Sequence, residues 1–160
     1  MAESGQLDVR NLEFKRDFDV PPARVFEVWT NPGRLERWFT LRADYTMPIA
    51  EIDLRVGAKY RIGMKSPEGA LEIVGGIFKR IVPPEILSFT WCVGGGGTQQ
   101  KKSLVVAEFS KKGSGATMVV KHQLIPGEQL RQHYENEWII RFSRLEKLLE
   151  EIGTLVEQSS

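Results

Sequence analysis

The C-terminal part of the chain carries a continuous apolar stripe at helical spacing. Its seven residues follow one another at intervals of three or four: Leu130, Tyr134, Trp138, Phe142, Leu145, Leu149 and Ile152. That spacing places all of them on one face of a helix. We predict a helix of about 23 to 25 residues, roughly 35 Å long, with Gly153 at the C′ position. A stripe of this width must be covered by a second layer of structure.

The segment from residue 41 to residue 125 has the alternation of antiparallel strands. Gly75 and Gly76 lie inside a predicted strand from Leu71 to Val82, and interior glycines usually mark a bend or bulge. Three predicted strands each carry three residues at alternating positions, which share one face of the strand and are expected to point inward. They are Tyr60, Ile62 and Met64; Leu87, Phe89 and Trp91; and Met118, Val120 and His122. We therefore predict a curved antiparallel sheet.

The N-terminal part predicts one strand and two short helices. A half-buried strand is expected from about Leu12 to Val20. Pro22 can open the first helix, and Asn31 before Pro32 ends it and caps the second. The complete pattern predicts an α+β fold of two layers, in which six to seven strands wrap around the long helix. Because a bent sheet cannot touch a straight helix along its whole length, we expect an apolar pocket between them.

Length and charge limit the classes of protein that this chain can belong to. Its 160 residues suit one domain, predicted at 10–153 with flexible termini at 1–9 and 154–160. With a net charge of +1, the chain has no long-range electrostatic field that would attract nucleic acid. No run approaches the ~20 apolar residues of a spanning helix, so no membrane partner is expected. A single cysteine and the absence of a secretory signal favour the cytoplasm.

Motifs for nucleotide, nucleophilic or soft-metal chemistry are absent from the sequence. We predict no cofactor and no metal, and the lack of catalytic motifs favours binding over catalysis. His133 and Glu137 lie four residues apart, which suits a metal pair, an acid/base pair or an ordinary surface contact. His122 lies on an inward face, where it is either a polar contact for a ligand, an acid/base group, or a core histidine bonded to its neighbours.

Several segments follow one another in a characteristic order: Pro22 to Trp29 with Leu35 to Phe39, Asp53 to Gly57, Gly76 to Pro84 with Leu87 to Trp91, Gly115 to His122, and Trp138 to Leu149. Their order and spacing resemble the START-like (SRPBCC, helix-grip) superfamily. Within the superfamily, the chain is similar to the branch named for the activator of heat-shock protein 90 ATPase. Glu137 stands where family members often have glycine before the helix tryptophan. That departure predicts a looser helix contact or an exposed position, and an altered pocket mouth.

The resemblance implies three functions, because one scaffold serves all of them in this superfamily. The first is non-catalytic binding of a small hydrophobic or aromatic molecule. The alternatives are a chaperone partner in the stress response, which stimulates a heat-shock protein 90 ATPase, and a polyketide-cyclase-like or dehydratase-like enzyme with His122 or a buried carboxylate as acid/base. The expected state is a monomer or weak homodimer.

The candidate ligand-binding residues are mostly aromatic, as in many small-molecule sites. The alternative is that these side chains fill a solid core. The candidates are Trp38, Phe39, Tyr60, Met64, Phe89, Trp91, Met118, His122, Trp138 and Phe142.

Overall fold

The computed structural model describes residues 9–94 and 102–159, with side chains up to Gly153. The chain forms, in order, β1 (Val9–Phe18), α1 (Pro22–Thr30), α2 (Pro32–Phe39), β2 (Thr46–Ile52), β3 (Lys59–Lys65), β4 (Leu71–Val82), β5 (Ile86–Val93), β6 (Ser103–Lys112), β7 (Gly115–Pro126) and α3 (Glu128–Ser159). The predicted α+β helix-grip architecture is confirmed. The sequence predicts a flexible connection from Gly94 to Gln100, and its residues 95–100 lie outside the described residues, as do residues 1–8, 101 and 160.

The seven strands form one antiparallel sheet in the order β1-β7-β6-β5-β4-β3-β2. The chain leaves β1, crosses through α1 and α2 to the far edge at β2, and then returns strand by strand to β7, beside β1. The register shifts between Phe78 and Arg80 in β4, close to the predicted bend at Gly75 and Gly76. This curvature lets the sheet partly enclose the helices.

Gly76 is required for the close approach of β4 and β5. A Cβ atom at this position would lie 2.1 Å from the carbonyl oxygen of Thr90 and 2.5 Å from its hydroxyl oxygen. The same hydroxyl accepts a hydrogen bond from the backbone N–H of Ile77 at 2.9 Å. Only glycine, which has no Cβ atom, therefore allows β4 and β5 to pair at this position.

The predicted apolar stripe is buried along α3, but the helix is longer than predicted. Tyr134, Trp138 and Phe142 are buried, as are the stripe residues that follow them, whereas Leu130 is half-buried. The helix has 32 residues and continues to Ser159. The prediction that Gly153 is a C′ residue is wrong. The buried Ile152 and the packing of Val20, 3.5 Å from the Cβ position of Gly153, favour helical geometry despite the low helix propensity of glycine.

The corner between α1 and α2 is built by Asn31, as predicted. Its backbone N–H donates to the carbonyl of Glu27 at 2.9 Å and ends α1. Its side-chain oxygen accepts from the backbone N–H of Gly33 at 2.9 Å and caps α2. One residue therefore satisfies the ends of two helices, which fixes the angle at which both pack on the sheet.

Strand β1 begins at Val9 and ends at Phe18, three residues earlier at its start than predicted. Arg16 interrupts its apolar alternation, and the structure gives the reason. The Arg16 guanidinium lies over the ring of Phe142 at 5.7 Å, so its stem covers the core beside the helix. Within the described residues, no helix has both the length and the hydropathy needed to cross a membrane.

Candidate functional site

The interior between the sheet and the helices is a continuous group of aromatic rings. Trp29 of α1 lies at its centre, with ring centroids 5.0 Å from Trp38, 6.1 Å from Trp138 and 6.0 Å from Phe109. Trp138 in turn stacks on Phe142 at 5.2 Å. Trp29 therefore joins both short helices, the long helix and the sheet into one packed unit. Sequence reasoning did not select Trp29 as a site residue, although Val25, Phe26 and Trp29 stand at helical spacing and so share one helix face.

A small apolar cavity lies between the helix pair and strands β2 to β5. Its volume is about 30 Å³, close to that of one water molecule. Its wall has almost no polar surface. The lining residues are Trp29, Leu35, Phe39, Ile52, Tyr60, Ile62, Phe78, Leu87, Phe89 and Trp91. The space between sheet and helices is nearly filled by side chains.

The structure divides the ten predicted site residues into two groups. Four of them line the apolar cavity: Phe39, Tyr60, Phe89 and Trp91. The other six are buried elsewhere in the core: Trp38, Met64, Met118, His122, Trp138 and Phe142. The cavity therefore lies between the sheet and the helix pair α1 and α2, whereas the pocket was expected between the sheet and the long helix. The reason is that Trp138 and Phe142 fill the space under α3.

Three lining residues carry polar side-chain atoms, and their environments differ. The Tyr60 hydroxyl donates to the backbone carbonyl of Thr90 at 2.6 Å, and burial raises its pKa well above the usual value. The indole N–H groups of Trp29 and Trp91 are buried and have no hydrogen-bond partner in the described part of the chain. An unpaired buried donor costs about 1–3 kcal/mol. Trp29, from the helix pair, and Trp91, from β5, are therefore the lining residues with an unused polar group.

His122 is held in one tautomer by hydrogen bonds on both ring nitrogens. The indole N–H of Trp138 donates to Nδ1 at 3.0 Å, so the ring proton lies on Nε2. Nε2 then donates to the Ser103 hydroxyl at 2.7 Å, and this hydroxyl donates to the carbonyl of Trp91 at 3.4 Å. The imidazole also stacks on Tyr134, with centroids 4.8 Å apart. Both nitrogens are occupied by protein groups.

Burial and the nearby positive charge of Arg141 lower the pKa of His122 from 6.5 to about 3. The ring is thus neutral near pH 7, with no free lone pair and no mobile proton. Of the alternatives for His122, the structure agrees with a core histidine bonded to its neighbours. This arrangement leaves His122 without a free ring nitrogen for an acid/base step.

Arg141 is fully buried on the inner side of α3, and sequence reasoning missed it. Its Nε donates to the carbonyl of Phe39 at 2.8 Å. The guanidinium lies 4.3 Å from the ring centroid of Phe39 and 5.5 Å from that of Trp138. Burial lowers its pKa. A sequence signal existed, because Arg141 follows Tyr134 by seven residues and so lies on the same helix face.

Glu137 compensates part of this buried charge. Its Oε1 lies 3.6 Å from Nη1 of Arg141, one helical turn further along. Burial and the charge of Glu72 raise the pKa of Glu137, although Arg141 and His133 act in the opposite direction. Of the two alternatives expected for Glu137, a looser helix contact or an exposed position, the exposed position is not found, since only 8% of its surface is accessible. The physical reason is the pairing with Arg141, which a sequence pattern does not reveal.

Two larger depressions flank the C-terminal half of α3, and charged residues make up at least half of the lining of each. One has a volume of about 500 Å³ and lies beside Phe18 and Asp19. The other measures about 370 Å³ and lies beside Arg37 and Tyr45. The predicted site residues line neither of them.

A curved antiparallel sheet around a long C-terminal helix, with an aromatic interior, defines a START-like helix-grip domain. Residues 19–150 match the family model described as Activator of Hsp90 ATPase homolog 1-like protein. Because this match covers most of the chain, the protein belongs to that family.

Solved structures support the same fold assignment. A protein of Chromobacterium violaceum superimposes with a TM-score of 0.77 at 21% identity, covering 88% of this chain and 96% of that chain. A protein of Rhizobium leguminosarum gives a TM-score of 0.77 at 23% identity, covering 91% and 97%. The AHSA1 protein of Silicibacter pomeroyi gives 0.77 at 21% identity, covering 88% and 98%. At these identities the likeness concerns the fold alone. A comparison with curated proteins found no match.

Proposed function

We propose that this domain binds a small aromatic molecule carrying one hydrogen-bond acceptor, in the apolar cavity beneath α1 and α2. The observation that carries the proposal is the unpaired indole N–H of Trp29 in the aromatic interior. An acceptor on the ligand would satisfy this donor and remove the cost of leaving it buried and unpaired. The aromatic wall would supply the remaining contact area.

Binding requires the cavity to expand. A cavity of about 150 Å³ holds a benzene molecule, whereas this one measures about 30 Å³. The helix pair has to move outward, or lining side chains have to change rotamer. The bound form is then a minor state of the free protein, and the fraction of molecules in that state reduces the measured affinity. We therefore expect weak affinity for the smallest probes and tighter binding for ligands that fill the opened space.

The experiment compares acetophenone with ethylbenzene, which has a similar shape but lacks the acceptor. Methyl NMR of the isoleucines and leucines follows each titration. We expect saturable shifts at Leu35, Ile52 and Ile62, with acetophenone binding more tightly. In the double variant Trp29→Phe/Trp91→Phe, which removes both unpaired N–H groups of the lining, the two probes should bind equally. Shifts confined to α3, or no saturable shift with either probe, would refute the proposal.

A pair of matched variants separates cavity binding from surface binding. Leu35→Phe adds a ring inside the cavity and should abolish the titration. Ile139→Phe adds the same ring at a position that is 47% exposed and should leave it unchanged. Equal loss in both variants would contradict binding at the cavity.

The family description supports a second candidate, a partnership with a heat-shock protein 90 chaperone. A coupled ATPase assay with purified chaperone tests it. Stimulation that persists in Leu35→Phe would favour the chaperone partnership over ligand binding, because this variant leaves the outer surface unchanged.

A further inference from the structure

A second group of polar side chains lies between the start of β4 and the first turns of α3. It contains Glu72 of β4 and His133 and Glu137 of α3. One donor atom from each residue lies within 4.8 Å of the donor atoms of the other two. Glu72 and His133 are exposed, whereas Glu137 is buried. None of the three lines the apolar cavity, so the group is separate from the ligand site proposed above.

The geometry of the helix pair matches the spacing of two metal ligands. Nε2 of His133 lies 3.3 Å from Oε2 of Glu137. Two donors bound at ~2.0–2.1 Å to one tetrahedral ion are separated by ~3.3 Å. The two residues are four positions apart on α3, a spacing that directs both side chains to one side of a helix. Glu72 is an exposed, long side chain, so a rotamer change can bring its carboxylate to the same distance.

The buried carboxylate of Glu137 is the observation that favours a ligand over a surface ion pair. Its exposed fraction is 8%, and its Oε2 lies 3.3 Å from Nε2 of His133. Arg141 lies 3.6 Å from Oε1, beyond hydrogen-bond distance. A buried carboxylate normally accepts hydrogen bonds or binds a cation. Oε2 is directed toward His133, where a cation would satisfy it.

Arg141 orients the Glu137 carboxylate. Its guanidinium faces Oε1, so Oε2 is left to face His133 and Glu72. Groups behind a ligating side chain commonly orient it in this way. The two carboxylates and the one guanidinium leave a single net negative charge, which favours a divalent cation.

We propose that Glu72, His133 and Glu137 bind a first-row divalent cation, with Zn²⁺ as the best match. One imidazole and two carboxylates form a borderline donor set, suited to Zn²⁺ and less suited to Mg²⁺ or Ca²⁺, which bind oxygen ligands alone. Three protein ligands leave at least one coordination position for water or for a partner molecule.

Isothermal titration calorimetry with ZnCl₂ on the full, tag-free chain tests the proposal. The expected result is one Zn²⁺ per chain, with binding at least ten-fold weaker in His133→Ala and in Glu72→Gln. Both residues are exposed, so these variants should keep the fold, and circular dichroism checks this. Glu135→Gln is the matched control. It changes a charge on the same helix outside the cluster and should leave affinity unchanged.

Absence of stoichiometric Zn²⁺ binding would overturn the proposal, as would binding that His133→Ala leaves unchanged. A second measurement follows the His133 ring by NMR, where Zn²⁺ should shift its resonances and leave those of the buried His122 in place. The ligand titrations at the cavity are carried out without metal, so failure of one proposal does not imply failure of the other.

Discussion

Replacement of Arg141 by methionine tests whether the buried guanidinium stabilises the packing of α3. The variant removes the hydrogen bond from Nε to the carbonyl of Phe39, 2.8 Å long, and a bond from a charged donor contributes about 1.5–3 kcal/mol. It also removes the contact with the Phe39 ring at 4.3 Å, which contributes up to ~2 kcal/mol when desolvated. Methionine restores most of the apolar volume and avoids the cost of burying a charge.

Arg141→Met also leaves the buried Glu137 carboxylate without its main cation. Removing one partner of a buried ion pair costs about 3–5 kcal/mol. Nη1 of Arg141 and Oε1 of Glu137 are 3.6 Å apart, and His133 remains close to Glu137 in the variant. We therefore use the lower end of this energy range. The expected net loss in the free energy of unfolding is about 3 kcal/mol.

Urea unfolding followed by tryptophan fluorescence measures this loss. With a slope of about 2–3 kcal/mol per molar urea, the midpoint should fall by roughly 1–1.5 M. The double variant Glu137→Gln/Arg141→Met should lose less than the sum of the two single variants, with a coupling of at least about 1 kcal/mol. An Arg141→Met protein as stable as the wild type, or a strictly additive double variant, would refute this reasoning.

The remaining predictions concern His122 and the glycines. The pKa of His122 is lowered to about 3 in the folded chain and is 6.5 in the reference state, so protonation favours unfolding. Its contribution is complete above pH 6.5 and falls by up to about 1.4 kcal/mol per pH unit as the pH drops toward 3. Midpoints measured at pH 7 and pH 5 should therefore differ less in His122→Asn than in the wild type, and an equal difference would contradict the buried neutral ring. Gly76→Ala should destabilise the sheet by several kcal/mol, because the new Cβ atom meets the Thr90 carbonyl at 2.1 Å. Gly33→Ala, whose Cβ atom would contact only a side-chain oxygen at 3.4 Å, should be neutral or slightly stabilising in thermal denaturation.

Arg141 connects the two proposed sites. Its guanidinium stacks on Phe39 and lies 5.7 Å from the ring centroid of Trp91, and both of these residues line the cavity. On its other side it faces Glu137 of the proposed metal site. Substitution of Arg141 is therefore expected to weaken both binding events. Leu35→Phe should weaken only ligand binding in the cavity, and His133→Ala only metal binding.

The seven-residue stripe, the alternation of the strands and the prolines of the helix pair were sufficient to predict the architecture from the sequence. These signals are local, because side-chain periodicity follows directly from helix and strand geometry. The inward position of His122 and the capping role of Asn31 were predictable for the same reason. The length of α3 was not, since glycine at position 153 is an ambiguous signal whose outcome depends on packing against Val20.

Only the tertiary structure decided where space remains in the core and which charges face each other. Periodicity assigns Trp138 and Phe142 to the interior, but the stacking of their rings determines that they fill it and that the cavity lies beneath α1 and α2. Similarly, the sequence places His133 and Glu137 on one helix face, yet the approach of Glu72 from β4 and the pairing of Glu137 with Arg141 depend on how α3 crosses the sheet. Contacts between residues distant along the chain, and the volume left between them, are properties of the packed structure, and local patterns do not determine them.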